Sequence, residues 1–72
     1  MNNKELRFTV FCIENVADYL LLKGNEIYNL LTKNSDILDN YIIPCYDVLH
    51  TQGKEYIVND IVELMREKGL KI

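Results

Sequence analysis

The sequence predicts an all-α domain, a compact bundle of about four helices. Three observations predict it. Apolar residues recur at spacings of three and four along the long segments. Gly24, Gly53 and Gly69 fall at the ends of those segments, where helices stop and turns form. The one run rich in β-branched and aromatic residues, Phe8–Ile13, also reads as a strand, but its apolar spacing continues well past a strand's length.

The first helix is expected to start at Asn3 as N-cap, with Glu5 favourable in the first turn, and to stop at Gly24. Leu6, Val10, Ile13, Ala17 and Leu20, joined by Val16, form its predicted inner side. Phe8, Phe11, Tyr19 and Leu22 then project away, and only Glu14, Asn15 and Asp18 make a polar patch. A helix with this much apolar surface is either central to the fold or covered by another chain.

Asn25 is expected to cap a second helix through about Lys33, facing Ile27, Leu30 and Leu31 inward. Ser35 caps the third, from about Asp36 to His50, whose inner stripe is Leu38, Ile42, Cys45 and Leu49. Pro44 falls within it, so this helix is expected to be kinked or split. Thr51-Gln52-Gly53 makes the next turn. The last helix, about Lys54 to Lys68, buries Ile57, Val58, Ile61, Leu64 and Met65, and Gly69 ends it before a tail that tucks against the core. The whole chain, residues 1–72, is expected to be one helical domain.

Composition narrows the function classes. The chain has 72 residues, 49% hydrophobic and 26% charged, with a net charge of −3. Phosphate binding draws on clustered lysine and arginine, which this chain lacks, so nucleic acid is argued against as a partner. A helix-turn-helix reading of the last two helices meets the same objection, because Glu55, Asp60, Glu63 and Glu67 repel phosphate about as much as the basic groups attract it. Cys12 and Cys45 lie far apart in apolar runs and read as free, buried thiols. The apolar region Phe8–Leu22 is broken by Glu14, Asn15 and Asp18, so no membrane span and no signal peptide is expected, and the protein is placed in the cytoplasm.

Tyr46, Asp47 and the only histidine, His50, fall within one helical turn. A carboxylate orienting an imidazole is half of a general-base arrangement, but no nucleophile or metal-ligand set accompanies it. The plainer reading is a histidine capping the last turn of its helix. Asp60 is expected to accept a hydrogen bond from Tyr46, His50 or Thr51, pinning the last two helices together. Catalytic residues, metal ligands and cofactors are therefore not assigned. Partner-binding candidates are Phe8, Phe11, Tyr19, Leu22, Tyr46, His50 and Tyr56; Asp47, Thr51, Gly53 and Asp60 are expected to shape the turn.

At Phe11-Cys12-Ile13-Glu14-Asn15, and again from Tyr46-Asp47-Val48-Leu49-His50-Thr51-Gln52-Gly53 to Ile61, the sequence resembles a family of small bacterial proteins, domain of unknown function DUF3791. The resemblance covers nearly the whole chain, and Pro44 is a candidate departure from its pattern. The family has no established catalytic residues to carry over. Its members look like companions of larger proteins, often encoded beside ADP-ribosyltransferase-like toxin domains. What this implies is a non-enzymatic interaction module, dimeric or bound to a protein partner, with an antitoxin-like or accessory role. A small catalytic or ligand-binding domain centred on His50, and a nucleic-acid adaptor, are the competing readings.

Overall fold

Two hydrogen bonds set the start of the first helix in the computed structural model, which describes Met1–Ile72. Asn2 Oδ1 accepts the Glu5 backbone N–H at 2.8 Å, and the Asn2 N–H donates to Glu5 Oε1 at 3.2 Å. This reciprocal capping box satisfies two of the orphan groups at a helix N-terminus. It places the cap at Asn2, one residue before the expected Asn3. Helix α1 then runs Asn3–Leu20, and the strand reading of Phe8–Ile13 is excluded.

Helix α1 does not wait for Gly24. Leu21 turns left-handed at φ 58°, and the Leu22 N–H closes back on the Ala17 carbonyl at 3.0 Å. That conformation costs a leucine roughly 1–2 kcal/mol. The turn it makes sends Leu22 half inward against the core while Leu21 stays 89% exposed. Helix α2, Gly24–Thr32, follows at once, with Lys23 rather than Asn25 at the cap position and no side-chain cap.

The buried face of α1 also differs from expectation. Phe8, Thr9, Cys12, Val16 and Ala17 are buried; Leu6 and Val10 are 51% and 45% exposed, and Ile13 and Leu20 are half-buried. At 100° per residue this rotates the inward face by about 70° from the predicted stripe. Phe8, expected to project outward, is only 8% exposed. Thr9 explains part of the shift. Its hydroxyl donates to the Glu5 carbonyl at 2.8 Å, so the polar group is satisfied and can enter the core.

Between α2 and the last helix the backbone is irregular. Ser35 links the two sides, its Oγ donating to the Leu30 carbonyl at 2.7 Å and accepting the Ile37 N–H at 3.4 Å. A π-helical segment follows, Leu38–Ile42, closed by the Ile43 N–H on the Leu38 carbonyl at 3.0 Å. Pro44 has no N–H to continue an α-helical ladder, and its ring clashes one turn back. The wider π turn upstream and the short helix α3, Tyr46–Leu49, divide what the spacing presents as one helix. The split expected at Pro44 is present, and Leu38, Ile42 and Leu49 are buried, with Cys45 half-buried.

Helix α4, Lys54–Glu67, buries Ile57, Val58, Ile61, Val62 and Met65. Gly69, at φ 80°, ends it, and the Leu70 N–H returns to the Met65 carbonyl at 3.1 Å. Leu70 and Ile72 pack on the core, as the tail was expected to. Helix α1 packs against both α2 and α4. Fifteen buried residues from every helical segment, Ile37 and Val62 among them, make one core cluster.

Two substitutions test this packing by urea denaturation. Ile61→Ala, which opens a cavity at a fully buried position, is expected to cost about 2–5 kcal/mol. Leu21→Gly removes the left-handed penalty at an exposed site and is expected to raise stability by about 1 kcal/mol. A loss of stability there would show that Leu21 holds contacts the backbone argument ignores.

Candidate functional site

Phe8 and Phe11 stand three residues apart on α1, and Tyr46 and His50 stand four apart on and just after α3. The break at Pro44 turns α3 so that the two pairs meet. The rings of Phe8 and Phe11 lie 6.2 Å apart at 15°; Phe8 meets Tyr46 edge to face at 5.4 Å and 80°; Tyr46 and His50 stack at 4.4 Å and 3°. The result is a four-ring ladder with Phe8 buried as its footing. Phe11 is 37% exposed, Tyr46 half-buried and His50 exposed. Aromatic pairs at these separations contribute about 0.5–1.5 kcal/mol beyond the area they bury.

The imidazole is oriented, but not by Asp47. His50 Nδ1–H donates to the Tyr46 carbonyl oxygen at 2.7 Å. A carbonyl only accepts, so this contact fixes the proton on Nδ1. Nε2 has no partner within the chain. Asp47 lies exposed in the first turn of α3, where a carboxylate suits the helix dipole, and the orienting pair imagined for general-base chemistry does not form.

Of the seven partner-binding candidates, the ladder joins four: Phe8, Phe11, Tyr46 and His50. The other three lie apart from its ring contacts. Leu22 packs against the core. Tyr19 lines a cleft of about 420 Å³ between α1 and the start of α4, with Asn15, Asp18, Lys54, Glu55, Val58 and Asn59. Tyr56 is exposed on α4, one turn before Asp60.

The turn residues divide similarly. Thr51 Oγ1 donates to the Val48 carbonyl at 2.8 Å, closing the end of α3. Gly53 precedes α4 at φ −71°, a conformation open to any residue, and a Cβ there would meet nothing within 4 Å. Asp60 does pin α4 to the preceding segment, but its donor is the hydroxyl of Tyr41 in the π-helical segment, not Tyr46, His50 or Thr51. Tyr41 lies 19 residues before Asp60, so this is a contact between separate elements that closeness across the Thr51–Gly53 turn does not disclose. The Asp60 hydrogen bond, with burial second, holds the Tyr41 phenol well above the usual tyrosine range.

Burial raises the Cys12 thiol to about 12, leaving it protonated and unreactive at neutral pH. No three histidine, cysteine or carboxylate side chains come together in a metal-holding group, and no helix is long and apolar enough to cross a membrane.

Tyr41 gives a pH prediction whose sign follows from the raised folded value. The tie contributes stability fully present below the unfolded phenol's value of about 10 and lost as pH rises through the folded one. Tyr41→Phe is therefore expected to lower stability by about 1 kcal/mol at neutral pH, with the gap from wild type narrowing in alkali above about pH 10. Thermal melts at both pH values decide it; a constant gap would assign the loss to packing.

No curated protein and no solved structure matches the chain. A family model does, over residues 7–68, a span that holds the ladder, the Tyr41–Asp60 tie and all four turn residues. The chain belongs to the family described as protein of unknown function, DUF3791.

Proposed function

We propose that this protein is a non-enzymatic interaction module that acts in the cytoplasm and binds a protein partner through the exposed end of the aromatic ladder. The supporting observation is the Tyr46–His50 stack, 4.4 Å apart and nearly coplanar, standing on the buried Phe8 ring. Rings held this way lose little side-chain freedom on binding, and preordered aromatic groups are the side chains that most often carry interface energy. The hydrogen bond from Nδ1 to the Tyr46 carbonyl holds the imidazole in place before any partner arrives.

The finer form of this reading is antitoxin-like. The family resemblance implies a companion of an ADP-ribosyltransferase-like toxin domain, and a net charge of −3 suits a partner with a basic rim. The mechanism is occlusion: the ladder's exposed rings cover the partner's functional cleft, and acidic side chains meet the rim around it. No cofactor or metal takes part.

Co-expression with the product of the neighbouring gene, followed by size-exclusion chromatography, tests this. The two chains are expected to co-elute. His50→Ala is expected to weaken the complex at least about tenfold, or about 1.4 kcal/mol, while the free protein stays folded and loses no more than the roughly 0.5–1.5 kcal/mol of its own ring stack. Undiminished binding by both His50→Ala and Tyr46→Ala would move the interface off the ladder.

A further inference from the structure

The solvent-facing side of α1 carries a charge pattern that makes no sense within one chain. Lys4, Arg7, Phe11, Glu14 and Asp18 follow one another at spacings of three and four, within about 80° of arc. All five are exposed. The basic pair sits in the N-terminal half of the helix and the acidic pair in the C-terminal half. That is the opposite of what the helix dipole favours. Within each half, like charges are also neighbours: Lys4 and Arg7 are three apart, Glu14 and Asp18 four apart, spacings at which like charges repel. None of the four is in an ion pair, the chain's single one being Lys68–Asp36 at 3.2 Å.

We infer that this face pairs antiparallel with the same face of a second copy of the chain. Residues 4 and 18 are centred on 11, and residues 7 and 14 on the point between 10 and 11. One two-fold axis beside Val10 and Phe11 therefore sets Lys4 against the second copy's acidic end and Arg7 likewise, and returns the favour by symmetry. A parallel pairing would set base against base. Phe11, 37% exposed, is the apolar centre of the face, with Val10 and Leu6, 45% and 51% exposed, along one flank. An apolar centre between charged ends is the arrangement of a small self-complementary interface. The face uses Phe11 but neither Tyr46 nor His50, so it goes beyond the partner-binding reading and does not depend on it.

Sedimentation of the full chain at low salt, up to about millimolar concentration, tests the pairing. Wild type is expected to form dimers that weaken as salt rises. Lys4→Glu/Arg7→Glu and Glu14→Lys/Asp18→Lys are each expected to self-associate at least about tenfold more weakly. Mixed in equal amounts, the all-acidic and all-basic faces are expected to restore a one-to-one dimer at least as tight as wild type. Both variants put charges where the helix dipole wants them, so their melting temperatures should match or exceed wild type even as association is lost. A monomeric wild type, variants that associate as well as wild type, or a mixture no tighter than its components would each overturn the inference. His50→Ala is expected to dimerise normally, which separates this outcome from failure of the ladder as a partner site.

Discussion

Pro44 imposes the constraint on which the second half of the molecule depends. A residue without an N–H cannot extend the ladder of hydrogen bonds, and its ring displaces the carbonyl one turn back. The chain answers by widening the preceding turn into the π segment Leu38–Ile42 and restarting as the single turn of α3. Both results are used. The widened turn carries Tyr41 to Asp60 on α4, and the restart aims Tyr46 at Phe8 on α1. One missing hydrogen bond thus positions two cross-links to two different helices. π-helical turns inside otherwise α-helical chains are often found at functional sites, and here the segment leads directly into the ladder.

Helix α1 meets a different demand. In a chain of this length only part of the unfolded surface can be hidden, and α1 has apolar groups nearly all the way round. Its inward face is chosen by what can be completed there: Phe8 meets Tyr46, Thr9 satisfies its own hydroxyl on Glu5, and Cys12 and Val16 are fully buried in the core. Leu6 and Val10 are left over. Their exposure follows from a competition won by aromatic contacts in a neighbouring segment.

That competition marks the limit of what the sequence discloses. The spacing of Ile57, Val58, Ile61 and Met65 reveals α4 and its inner face, because α4 has one apolar side and glycine beyond its end. Pro44 reveals a break. The direction of α1 is not legible in the same way, since a helix apolar on several sides offers several equally regular stripes. Leu21 could not be read as a stop signal, because glycine is the residue that normally occupies its conformation. Nor does any spacing within one helix pair Tyr41 with Asp60, which lie 19 residues apart on two different elements. Within the turn motif from Tyr46 to Gly53, the hydrogen-bond partner of the histidine is a backbone carbonyl and not the adjacent carboxylate, which residue types alone do not disclose.

The bond from the His50 ring to the Tyr46 carbonyl also gives the neutral ring a polarity. With the proton held at Nδ1, what remains at the rim is a lone pair on Nε2 and no N–H. Any group that approaches edge-on must bring its own hydrogen: a hydroxyl, an amide or an ammonium is welcomed, while a carboxylate or bare carbonyl meets lone pair with lone pair. A flat aromatic edge that looks indifferent to chemistry is in this way selective for donors.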